Sequence, residues 1–149
     1  MSDRNEREYN ILSTLFADKW IAANPTILTK FENRNFVEPD EGIWVAFSIV
    51  AGKVFDAAIG GLIERGIGAA FLQIFMAENV GTIEARILAD SFGAIFGLRD
   101  FVYSDVVSAG HLWTTRPDMT ESPTRSGWRQ WRAGIDFYHD QYQTPIVLV

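Results

Sequence analysis

The sequence predicts an α+β domain, with a mixed, mainly antiparallel sheet of about four to five strands packed against two helices and a projecting hairpin. Three observations predict it. Apolar residues recur at helical spacing over residues 4–23 and 82–96; runs of high β propensity occupy 43–50 and 67–76; and residues 128–139 alternate between apolar and polar. A chain of 149 residues, 48% of them hydrophobic, has the length of one domain and the apolar content for its own core.

Within 4–23, Ile11, Leu12, Leu15, Phe16, Trp20 and Ala23 line one helical face, with Ser2 or Asp3 as the cap. Asn24-Pro25 ends that helix, because a residue before proline is pushed out of the α region. A short extended piece over 26–31 leads into the polar connector ENRNFVEPDEG, from which Phe36 is expected to tuck under the sheet. Residues 43–50, IWVAFSIV, form a central strand. Residues 52–65 leave two readings open. Gly60-Gly61 is a turn signal for a long hairpin whose tip would expose Val54, Phe55, Ile59 and Leu62, and the alternative is a short helix packed on the sheet.

The strand over 67–76 is apolar on both faces and is expected in the centre of the sheet, with Gly66 and Gly68 permitting close approach. Thr82 is placed to cap the second helix, Ile83, Ile87, Leu88, Phe92, Ile95 and Phe96 its buried stripe, and Gly97 its end. FVYS and VVSAGHLW read as short strands, and TTRPDMTESPTRSG as a long polar loop. In the last strand Trp131, Ala133, Ile135 and Phe137 face the core while Arg132, Gly134, Asp136 and Tyr138 face water. The single domain then closes on an apolar extension over 140–149.

A net charge of -6 argues against sequence-specific nucleic-acid binding, which draws on Lys and Arg to neutralise phosphates. The absence of cysteine removes thiolate chemistry and fits a cytoplasmic origin. A charged start and no apolar run of ~18 residues predict a soluble chain without a membrane partner.

Catalytic signals are weak. His111 and His139 would meet only on adjacent strands and belong to no ligand-spaced cluster, and Asp136 and His139 fall on opposite sides of a strand. The glycines near 60–68 precede a strand rather than join strand to helix, so they make no phosphate loop. No cofactor, metal or catalytic residue is assigned. Arg34, Arg65, Arg116, Arg125, Arg129 and Arg132, beside Trp113, Trp128 and Trp131, are better read as partner contacts, against the plainer reading of a solvated face.

The stretch GIGAAFLQIFMAENVGTIEARILADSFGAIF, residues 66–96, passes from a glycine-led strand containing FLQIF through a polar turn into a helix containing ARILADSF. With the helix before it and the strand pair after it, this order resembles the tail-terminator family of long-tailed bacteriophages, which includes the minor tail protein U of lambda-like phages and related prophage proteins. The likeness runs over about residues 9–138. It implies a virion assembly protein that is not an enzyme and binds no cofactor. The implied assembly is a homo-oligomeric, hexameric ring that caps the tail tube, stops polymerisation of the major tail tube protein and offers a head-completion or connector protein its joining surface. The implied location is the head-proximal end of the virion tail, after assembly in the host cytoplasm. Phe55, Ile59, Leu62, Arg65, Arg116, Arg125, Ile146, Val147, Leu148 and Val149 are the candidate interface. Two alternatives stay open: another head–tail connector or tail-completion ring protein, and a small α+β enzyme or ligand-binding domain using Asp136, Tyr138 or His111 in a pocket between sheet and helix.

Overall fold

The computed structural model describes residues 3–31, 36–39, 42–77, 81–104, 108–125 and 127–142, with the backbone alone at Ile59, Pro123 and Arg125. Arg34 and the apolar end over 143–149 lie outside the described residues, whereas residues 140–142 belong to the last strand. The fold is α+β, with seven strands rather than four or five.

Helix α1 runs through Arg4–Leu15, a π-helical turn Phe16–Trp20 and Ile21–Ala23. The wider turn places Phe16 and Trp20 in a stack with centroids 5.6 Å apart, both fully buried. Strand β1 (Leu28–Lys30) pairs in parallel with β2 (Ile43–Asp56), which turns through a 3₁₀ segment, Ile59–Gly61, into β3 (Ile63–Ala77). Residues 52–65 thus form the hairpin rather than a packed helix. Helix α2 (Thr82–Phe96) follows, then β4 (Asp100–Ser104), β5 (Ala109–Thr114), β6 (Asp118–Arg125) and β7 (Trp128–Tyr142).

The strand order is β1-β2-β3-β7-β5-β4, with β6 also on β7. β3 and β7 pair without a break from Ile63↔Tyr142 to Ala77↔Trp128. The other edge of β7 is shared: β6 takes its first half and β5 its second. Both helices cover one face of the sheet, where Val45, Phe47, Leu72, Ile74, Ala133, Ile135 and Phe137 meet Leu12, Phe16, Leu88, Phe92 and Phe96. Phe16 stacks on Phe47 at 4.1 Å, joining helix to sheet at the core's centre.

Three sequence expectations are corrected. The polar stretch expected as a loop contains β6, because β7 offers it a free edge and Met119 packs against the core; the bulge between Ser122 and Arg125 accommodates Pro123, which has no N–H for a ladder. Thr82 does not cap α2: Gly81 holds the N-cap position, without a side-chain cap bond, while Gly97 does end the helix. Ile83 and Ile87 are 68% and 59% exposed, since Ala85, Leu88, Ala89, Phe92, Ile95 and Phe96 define the buried face and a 100° step puts 83 and 87 on the far side. The end of α2 is held instead by Arg99, whose Nε donates to the Ile95 carbonyl at 2.8 Å.

Gly68 of β3 stands between β2 and β7, with Phe137 opposite it on β7. A Cβ there would meet the Phe137 ring and lie 2.6 Å from the Val50 carbonyl oxygen. Gly68→Ala is therefore expected to lower the unfolding free energy by ~1–3 kcal/mol, through overpacking. Urea titration checks this: the midpoint should fall with an unchanged slope.

Candidate interaction surfaces and the buried polar cluster

Two kinds of feature can carry function here: polar side chains gathered inside, and apolar side chains left outside. The inner group lies where the start of α1 crosses β3, β7 and the β4–β5 hairpin. Arg4 enters over Gly66, whose missing Cβ leaves room for the guanidinium. Its Nη1 donates to the His139 carbonyl at 2.5 Å and its Nη2 to the Glu64 carbonyl at 2.6 Å, and Nε reaches the Glu64 carboxylate at 3.2 Å. One helical turn on, the Glu8 carboxylate accepts from His139 Nδ1 at 2.8 Å, which leaves Nε2 of a neutral ring to accept from the Tyr103 hydroxyl at 2.6 Å. Burial holds the Tyr103 phenol above its ordinary pKa of 10.0, so it stays a donor.

Arg4, Glu8 and His139 are 5%, 4% and 0% exposed, so the carboxylate and imidazole are walled off from solvent, while Tyr103 is half-buried. Asp3 closes the cluster, accepting from Gln141 at 2.7 Å, Ser108 at 3.0 Å and Arg7 at 3.1 Å. Burial raises the pKa of Asp3, but those hydrogen bonds outweigh it and hold the carboxyl below 3.8. Sequence reasoning missed Arg4, Glu8 and Tyr103. The available signal was the spacing of four that sets Arg4 and Glu8 on the same stripe as Leu12 and Phe16.

The two histidines do not meet. His139 pairs with Leu112 on the helix side of the sheet, whereas His111 pairs with Asp140 on the other side, beside Asp100 and 4.7 Å from the Trp113 ring. Asp136 and Tyr138 share that outer side, so the three groups considered for a helix–sheet pocket all face away from the helices. Among the described residues no cluster of metal-ligating side chains occurs.

Of the expected arginine contacts, Arg65 is held within the chain: its Nε and Nη2 donate to Asp140 at 2.7 and 2.9 Å, and its guanidinium stands 5.3 Å from the Trp113 centroid. Arg132 lies 3.7 Å over the Phe71 ring, and Arg129 reaches Glu121 at 3.6 Å. Arg116 is exposed, at the rim of a shallow cleft with Asp118, Arg132 and Asp136. The side chains of Ile59 and Arg125, and all of Ile146, Val147, Leu148 and Val149, lie outside the described residues.

Part of the exposed apolar surface lies toward the two ends of the β2–β3 ribbon. At the hairpin end are Val50, Val54, Phe55 and Leu62, 39–49% exposed, with Tyr142 beside them. Residues 50–56 of β2 are exposed without interruption, because β1 pairs only with Trp44–Ala46 and no other described strand takes that edge. The hairpin does not project alone, since β7 accompanies β3 to Ile63. At the other end Ile83, Ile87 and Leu28 flank a cleft of about 270 Å³ lined by Pro25, Ile27, Ile43, Ile87 and Leu88.

No protein-family model and no curated protein matches the chain. Solved structures similar to the chain include one with a TM-score of 0.60 and 17% identity, over 92% of this chain and 97% of its own length. Its name states no activity, and the likeness concerns the fold alone.

The inner cluster generates two predictions. Arg4→Met leaves two buried carbonyls and the Glu8 carboxylate without their cation, and should cost ~3–5 kcal/mol in chemical unfolding. Asp3 contributes stability that is complete above its ordinary value of 3.8 and is lost as pH falls through the lower folded value. Wild type should therefore lose more stability than Asp3→Asn across that acid window, read from melting temperatures at successive pH values.

Proposed function

We propose that this protein is a tail terminator: a homo-oligomeric ring, hexameric in the family it resembles, that caps the tail tube and ends its growth. The observation that carries this reading is the seven-residue run of exposed β2, residues 50–56, with Val50, Val54 and Phe55 along it and no described strand on its outer edge. Long apolar edges are liabilities in a monomer, where they template aggregation, and assets in an assembly that covers them. A ring suits such a surface because a heterologous contact joins two different patches and closes after a fixed number of copies.

In this reading residues 66–96 carry the family resemblance, and the hairpin, the 114–127 segment and the C-terminal residues supply partner contacts, those between copies included. The net charge of -6 suits a passage for DNA, since an acidic wall does not retain phosphate. The enzyme reading draws no comparable support from the outer placement of Asp136, Tyr138 and His111.

The test is tube growth. Added to polymerising major tail tube protein, the purified chain should limit tube length and be seen at one tube end by electron microscopy. A ring that leaves growth unaffected would return the connector reading, and a chain that stays monomeric and inert on tubes would sink both. Deleting residues 144–149 should weaken self-assembly by at least ~10-fold, about 1.4 kcal/mol, while the melting temperature of the monomer stays unchanged. Sedimentation over a concentration series measures it.

A further inference from the structure

We infer that the hairpin end of one copy, presenting Phe55 and Leu62, docks in the cleft of a second copy between residues 23–27 and the first two turns of α2. This inference rests on the ring reading and names the two faces of its contact. Both faces are apolar and exposed in the single chain: Phe55 and Leu62 by 39% and 45% on one, Ile83 and Ile87 by 68% and 59% on the other. The cleft is lined by Pro25, Ile27, Ile43 and Leu88, a volume of about 270 Å³ suited to one large apolar side chain rather than to a polar ligand.

The chain's own hairpin cannot be the occupant. The hairpin end lies where Asp56 pairs with Glu64 and Ile63 with Tyr142; the cleft lies where Ile43 pairs with Met76. Thirteen residues of β3 separate these points, about 43 Å along the ribbon at ~3.3 Å per residue. A hairpin end that fills this cleft therefore belongs to another copy. Two unlike patches at opposite ends of one rigid ribbon make a head-to-tail contact, which is the heterologous geometry a closed ring requires. Charge agrees with this pairing: Lys53 is exposed on the hairpin strand, and the exposed Glu84 carboxylate lines the cleft.

Complementation tests it on the full chain. Phe55→Asp with Leu62→Asp disables the hairpin face, and Ile83→Asp with Ile87→Asp disables the cleft face; all four positions are exposed, so circular dichroism and melting should match wild type. Light scattering is expected to give an oligomer for wild type, monomer for each double variant alone, and a heterodimer for their equimolar mixture, since one good face remains on each partner. Lys53→Glu should weaken assembly, and Glu84→Lys in the same chain should restore it. If wild type forms a ring and both double variants still do, the assignment of faces is overturned while the ring reading stands. If both variants are monomeric but their mixture does not associate, the contact is not head-to-tail and the inference fails. A wild type that is monomeric at every concentration overturns it together with the ring.

Discussion

The uninterrupted pairing of β3 with β7 governs the rest of the molecule. Fifteen cross-strand pairs, from Ile63↔Tyr142 to Ala77↔Trp128, lock the two longest strands in one register, and a slip of one residue would send every side chain of one strand to the wrong face. That register places Leu72 beside Ala133, Ile74 beside Trp131 and Ala70 beside Ile135 under the helices. It also places Gly68 beside Phe137 and Gly66 beside His139, so small residues stand where a large ring and a buried guanidinium need room. Because β7 is longer than either neighbour on its second edge, β6 and β5 divide that edge, and the polar 118–125 segment acquires a strand's hydrogen bonds without a strand's composition.

The charged cluster at the start of α1 follows from the same ladder. A helix whose first turns carry Arg4 and Glu8 on the inward stripe must satisfy them in the interior, because isolated buried charges are costly. Arg4 is satisfied by two backbone carbonyls and a carboxylate, and Glu8 by the imidazole of His139, itself completed by Tyr103. Four separate elements converge on this knot, so it fastens the chain's beginning to its last strand. A carboxylate, a histidine and a hydroxyl in line also occur in catalytic triads, yet here their ends are closed by protein and no described cleft reaches His139. The distances alone make a staple.

What the interior leaves unburied is more informative for assembly. A single layer of helices covers one face of the sheet, and the distal half of β2, paired with β3 on one edge, has no described strand on the other. Apolar side chains are exposed there and again at the opposite end of the ribbon, on the outer side of α2. Such separation suits a head-to-tail contact between copies.

Much of the fold was legible in the sequence. The helix over 4–23 follows from a period of 3.6, the inward residues 131, 133, 135 and 137 from a period of two, and the hairpin from Gly60-Gly61, because each is a local pattern set by backbone geometry. The opposite faces of Asp136 and His139 follow from the same rule. The other features depend on partners distant in the chain. β6 exists through the free edge of β7, and Ile83 and Ile87 lie outside because the small Ala85 and Ala89 side chains draw the other face of α2 onto the sheet. Arg65 is held on the outer face by Asp140, 75 residues away. Composition and period by themselves determined the helix over 4–23, the central strands over 43–50 and 67–76, and the inward side of the last strand. Only the tertiary structure decided which edges are occupied, which charges are buried together and which apolar residues remain outside, because pairing and burial are properties of two segments at once.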